Sequence, residues 1–165
     1  MSDDPQAAPL TIDLSPSEMH IAAIAGVQRA LDGIRRNRQA RYGCEAGAGF
    51  DLNIIGCAGE LALAKCLDRF WNGAFGSLSA ADVARQYQVR ASAYNGPNAG
   101  LILHPGDNDQ QAFVKVLVRL PQVTLIGWLF GRDGKQDRFW TELQAGRPCY
   151  LVPHPLLRPI AELAA

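Results

Sequence analysis

Phe113-Val114-Lys115-Val116-Leu117-Val118-Arg119-Leu120, then Pro121-Gln122, then Val123-Thr124-Leu125-Ile126-Gly127-Trp128-Leu129-Phe130, reads as two apolar strands joined by one turn. Two further runs of the same kind precede it, Tyr87 to Ser92 and Leu101 to His104. They are set apart by Asn95-Gly96-Pro97-Asn98 and Gly106-Asp107-Asn108-Asp109. Four strand runs with turn punctuation predict an antiparallel meander. A turn over Gly131 to Lys135 then leads to a short helix near Asp137 to Gln144, a last strand at 149–152 and a closing helix from Leu156 to Leu163.

Upstream the period is helical. Ser15-Pro16-Ser17-Glu18 is a helix start, with Ser15 as N-cap, Pro16 in the first turn and Glu18 reaching back. His20, Ile24, Val27, Leu31 and Ile34 form a stripe at spacings of four, three, four and three, in a helix predicted to run to about Arg41. A second helix is predicted from about Asp51 to Phe70, so apolar around its circumference that it must pack on more than one side. Helices before and after a run of strands predict an α+β fold, with N-terminal helices on a central mixed, mostly antiparallel sheet of about five strands. Residues 1–14 read as a flexible lead-in, and 15–165 as one domain.

The 165 residues suffice for one domain and hardly for two, and 48% apolar with 19% charged residues excludes a disordered chain. Sixteen basic and sixteen acidic side chains cancel, so nucleic-acid binding needs a local cluster. The densest is Arg35, Arg36, Arg38 and Arg41 at the end of the first helix. Arg35, Arg38 and Arg41 recur at spacings of three and make the candidate phosphate-contacting face. No run of about 18 apolar residues exists, and Asp3 and Asp4 stand where a secretory signal carries basic residues, so a cytoplasmic protein is expected. Cys44, Cys57, Cys66 and Cys149 form no CxxC pair, and His20, His104 and His154 are scattered; all seven read as packing residues. The glycine-rich Gly43 to Gly49 connection matches neither GxxxxGK[ST] nor GxGxxG.

Chemistry concentrates around Glu60, the only acid between Asp51 and Asp68. No cation lies at i±4 on its own helix, and Gly56 and Gly59 bare the backbone so that a strand or ligand can approach. Asp82 precedes the first clear strand, on which Gln88 and Arg90 share one face. Gathered at one sheet edge facing the helix of Glu60, these residues would offer oxygen ligands to Mg²⁺ or Mn²⁺ and a cation to a phosphate.

Gly59-Glu60 on a helix, then Asp82-Val83, then Gln88-Val89-Arg90 on a strand resembles the PD-(D/E)XK nuclease superfamily, in its small phage-associated members. Leu101-Ile102-Leu103, Asp107, Phe113-Val114 and Gly127-Trp128 extend the likeness, which covers less than half the chain. The resemblance implies a restriction-endonuclease-like core, a divalent metal on Glu60, Asp82 and Gln88, and DNA phosphodiester hydrolysis with Arg90 stabilising the phosphate. Two positions depart from the pattern. Gln88 replaces an acid and brings no negative charge, and Arg90 replaces a lysine and cannot act as a base. The alternative expectation is a catalytically inactive phage or prophage accessory protein that binds DNA or a host protein. Asp107-Asn108-Asp109 reads as a turn, and Trp128 and Trp140 as core aromatics.

Overall fold

The computed structural model describes residues 8–36, 49–73, 82–84, 86–96 and 99–163. The architecture is α+β. In chain order the elements are β1 (Leu10–Asp13), α1 (Pro16–Arg35), α2 (Gly49–Cys66), β2 (Tyr87–Ser92), β3 (Gly100–Leu103), β4 (Ala112–Arg119), β5 (Gln122–Phe130), the short α3 (Gly131–Gly134), β6 (Trp140–Gln144) and β7 (Arg147–Pro153). Short 3₁₀ turns occupy Asp137–Phe139, His154–Leu156 and Ile160–Leu163. Among the described residues no helix is long and apolar enough to cross a membrane.

The first helix starts as its residues dictate. Ser15 Oγ accepts from the Glu18 N–H at 3.2 Å, and the Ser15 N–H donates to Glu18 Oε2 at 2.7 Å, so two orphan donors are satisfied reciprocally. The face it buries is not the predicted stripe. Ile24, Leu31 and Ile34 are exposed, whereas Ala22, Ala25, Gly26 and Ala30 are buried. Close approach decides this: a Cβ on Gly26 would lie 2.6 Å from the Ile54 Cα of α2, so only a face of small residues lets the two helix backbones meet.

Four strands form one sheet in the order β1-β5-β4-β2, and three form a second in the order β3-β7-β6. The expected single meander is therefore corrected. β4 and β5 are an antiparallel hairpin, but β2 runs parallel to β4 because β3 leaves to pair with β7. Residues 10–13, expected within a loose lead-in, pair as β1 with β5, Leu10 opposite Leu125 and Ile12 opposite Val123. Residues 140–144, expected to be helical, form β6. Gly146 takes a φ of 73° in the turn, and Trp140 faces Tyr150 across the hairpin with ring centroids 4.9 Å apart.

Alternation along β4 builds both cores. Val114, Val116 and Val118 pack with Cys57, Ala58, Ala62 and Leu63 of α2, while Phe113 joins Leu101, Leu103 and Val152 of the second sheet. A helix layer, the four-stranded sheet and the three-stranded sheet thus lie in sequence. α2 is buried between α1 and the first sheet, which accounts for its apolar circumference.

Candidate functional site

Glu60 is only 4% exposed, in the middle of the most buried part of α2. A buried carboxylate needs a partner, and α1 supplies one. Arg29 donates from Nη1 to Oε1 at 2.6 Å and from Nη2 to Oε2 at 3.0 Å, and the Trp71 indole N–H donates to Oε2 at 3.0 Å. Gly56 and Gly59 both precede Glu60, and Gly59 makes the room. Gly59 receives β2, where a Cβ would sit 3.0 Å from Ala91 and 3.3 Å from Val89. Arg29 Nη1 passes 3.9 Å from the Cβ position of Gly56. Burial works against the Arg29 charge, but the hydrogen bonds and charge of Glu60 outweigh it and hold the guanidinium above its ordinary range. Beside them Cys57 is fully buried, and its thiol is pushed up to about 12, chiefly by burial. It behaves as a small apolar residue.

Asp82 reaches the same neighbourhood through a tight turn. Its N–H and that of Val83 donate to the Tyr87 carbonyl at 2.9 and 3.1 Å, folding the chain back onto β2. Asp82 Oδ2 then accepts from the Val89 N–H at 2.7 Å and from Gln88 Nε2 at 2.6 Å. Because β2 is an edge strand, that backbone N–H has no strand partner, and the carboxylate satisfies it. Burial raises the Asp82 carboxyl, to about 7, with the Glu60 charge adding to the push; the Val89 N–H, Arg29 and Arg90 pull the other way.

Glu60, Asp82 and Gln88 therefore converge on one edge of the first sheet, but not with the expected facing. Val89 and Ala91 face the Glu60 helix, and Gln88 and Arg90 lie on the opposite face of β2. A polar side chain pressed against bare Gly59 would lose its water without gaining a partner, so the apolar residues take that face. Arg90 pairs with Asp107, its Nη2 lying 2.9 and 2.8 Å from the two carboxylate oxygens, and its guanidinium stacks 5.0 Å above the Phe113 ring. Asp107 also caps the His104 N–H at 2.8 Å, and Asn108 Oδ1 accepts from the Gln110 N–H at 2.9 Å, so 107–109 is the turn its residues predict. Trp128 is core, 5% exposed, with its indole N–H on the Pro159 carbonyl at 3.1 Å; Trp140 is 49% exposed. Arg35 lies exposed in the last turn of α1, and Arg36 pairs with Asp32 at 2.8 Å. Arg38 and Arg41 lie outside the described residues.

Sequence reasoning missed Arg29, Trp71 and Lys115. The signal for Arg29 was present: it is the one cation on the small-residue face of α1, opposite the one buried acid of α2. Lys115 stands beside Arg90 in register on β4, is 5% exposed, and donates to Ser92 Oγ at 2.8 Å with no carboxylate paired to it among the described residues. Burial lowers its ammonium to about 8. The unfolded chain binds this proton more tightly than the fold does. The penalty is therefore fully present below about pH 8 and disappears as pH rises toward the ordinary value of 10.5. Lys115→Met is expected to raise stability at neutral pH by about 1–3 kcal/mol, the cost of burying a poorly satisfied polar group. It should also flatten the wild-type rise in stability across that alkaline window. Urea denaturation at several pH values measures both, and an unchanged midpoint at neutral pH would contradict the argument.

Among the described residues no group of three or more His, Cys, Asp or Glu side chains is placed to hold a metal ion. The oxygens of this edge that a cation would have to use belong to Asp82, Gln88 and Glu60. Among the described residues Asp82 makes both its hydrogen bonds through Oδ2, Gln88 donates through Nε2 and keeps its carbonyl oxygen, and Glu60 Oε1 takes a single donor. In comparison with known proteins, the chain matches no family model, no curated protein and no solved structure.

Proposed function

We propose that the chain is a divalent-metal-dependent, nuclease-like protein acting on DNA, with Asp82 at the centre of its site. The observation that carries this reading is the placement of two carboxylates against one edge strand: Glu60 follows Gly59, which packs on Val89 and Ala91, and Asp82 accepts from the Val89 N–H. Excess negative charge held out of water is what a divalent cation relieves. Asp82 and Gln88 would hold Mg²⁺ or Mn²⁺ through oxygens, and Glu60 would supply charge from the other side. When bound, the ion would polarise a phosphoryl oxygen and lower the pKa of water. The chain's own residues do the rest. Gln88 orients Asp82, Arg29 and Trp71 fix Glu60, and Arg90, anchored on Asp107, puts positive charge beside the site. Arg35, with Arg38 and Arg41, would meet the phosphate backbone.

Cleavage of plasmid and single-stranded DNA in Mg²⁺ and Mn²⁺ tests the reading. Asp82→Asn is expected to lower the rate at least a hundredfold, and equal rates in the two proteins would reject catalysis at this site. Since the ion needs the Asp82 carboxylate ionised, Mn²⁺ affinity measured by calorimetry should rise as pH passes through about 7.

One observation favours a second reading, a DNA- or protein-binding module of the same fold that cleaves nothing. The Arg29 guanidinium already neutralises Glu60 in a two-pronged ion pair. A module of that kind gives no Mg²⁺ or Mn²⁺ heat that depends on Asp82, yet still binds its partner in a chelator.

A further inference from the structure

A cavity of about 460 Å³ opens at the end of the first sheet next to the Asp82 turn. Its floor follows from strand register: Tyr87 begins β2, Ala112 begins β4 and Phe130 ends β5, and the three lie side by side in one row. The glutamines that precede the strands, Gln86, Gln110 and Gln111, rise around it, and Trp128 closes the back. Gln111 Nε2 is held by the Gln86 carbonyl, and Gln110 Oε1 accepts from Arg132 Nη1 at 2.7 Å. Gln110 is left with an amide donor and Gln111 with an amide acceptor. Amide groups beside aromatic rings present the donors and acceptors that base edges match and the surfaces on which base faces stack.

The charges around the cavity narrow the ligand further. Among the described residues Glu162 is the one charged side chain lining it, and a carboxylate accepts from an exocyclic amine, which adenine has and thymine lacks. At the rim the Arg132 guanidinium stacks 4.8 Å above Phe130, and that of Arg158 stacks 5.1 Å above Trp128. Both are exposed, and they share one carboxylate, Asp133, at 3.8 and 3.3 Å. Two cations on one acid leave positive charge for a phosphate.

We propose that this cavity is a nucleotide subsite, taking an amino-bearing base such as adenine against Tyr87 and the glutamines with its phosphate on Arg132 and Arg158. The inference deepens the DNA reading and rests on it for the source of the nucleotide: an unpaired base of a strand whose backbone continues past Asp82. A free nucleotide carries the same chemistry, so the test has an arm for each source.

Binding of labelled short oligo(dA), oligo(dT) and duplex to the full chain is measured by fluorescence anisotropy in a chelator, on the Asp82→Asn background, with dAMP as competitor. Single-stranded oligo(dA) is expected to bind about tenfold or more tightly than oligo(dT) or duplex. The double variant Gln86→Ala, Gln110→Ala should lose about tenfold or more for oligo(dA), the range of one good amide–base pairing. Both glutamines are exposed, so the variant retains the fold, as circular dichroism checks. Equal affinity for oligo(dA) in parent and double variant, or no preference over oligo(dT), overturns the subsite. If dAMP binds directly with the same sensitivity while oligo(dA) does not bind, the pocket stands and the strand as its source is overturned. Absent cleavage with intact pocket binding would defeat the nuclease reading alone. Intact cleavage with no effect of the glutamines would defeat the pocket alone.

Discussion

Arg29→Met is expected to destabilise the fold by about 3–5 kcal/mol, the largest single-residue effect foreseen, because it strands a buried carboxylate. Glu60 is 4% exposed and, among the described residues, keeps only the Trp71 indole as a donor once the guanidinium is gone. The reverse change, Glu60→Leu, should cost less, since the Arg29 side chain is 23% exposed and can turn its charge toward water. Replacing both by apolar residues should return much of the loss, as buried ion pairs exchanged for packed side chains often do. A double-mutant cycle by urea denaturation measures these differences, with coupling expected between the pair. Additive effects of the two single changes would show that the carboxylate and guanidinium do not depend on each other.

Asp82→Asn is expected to stabilise the protein above pH 7 by a few kcal/mol and to change little near pH 4. The sign follows from linkage. The folded-state carboxyl is raised to about 7 from an ordinary 3.8, so the fold holds a proton that the unfolded chain has released. Wild-type stability therefore falls as pH rises between those values, and the penalty is complete above the higher one. Asparagine keeps an acceptor for the Val89 N–H and carries no charge to bury. Magnesium adds a second arm. If Asp82 holds a divalent ion, Mg²⁺ stabilises the wild type at pH 8 by mass action and leaves the variant unchanged. Equal stabilisation of both proteins would place the ion elsewhere. A stability difference that does not vary with pH would remove the electrostatic account of Asp82.

The candidate site was half legible. A lone acid just after Gly56 and Gly59 on an apolar helix marks a position where something must come close, and β2 does close on bare Gly59. What came close to Gly56 was Arg29, from the preceding helix, and helical spacing within α2 carries no trace of it. Gln88 and Arg90 share a face, as period two requires. Which face meets α2 depended on Val89 and Ala91 being the side chains that fit bare Gly59. The first-helix stripe failed for the same reason. Periodicity counts large apolar residues, whereas a close helix crossing selects the small ones, Ala22, Ala25, Gly26 and Ala30.

Local rules acting over a few residues settled much of this protein from its sequence alone. They account for the capping box at Ser15, the extended runs at Tyr87–Ser92, Ala112–Arg119 and Gln122–Phe130, the turn at Asp107 to Asp109, and the α+β class. Each is encoded by neighbours in the chain, through a side chain that satisfies a nearby backbone group or an alternation that follows the pleat. Only the tertiary structure decided that β3 leaves the first sheet for β7, that β1 closes its far edge, and that Arg29 and Glu60 neutralise each other. Those outcomes turn on which surfaces fit at close range and which buried charge finds a partner, and both are properties of residues brought together from distant parts of the chain.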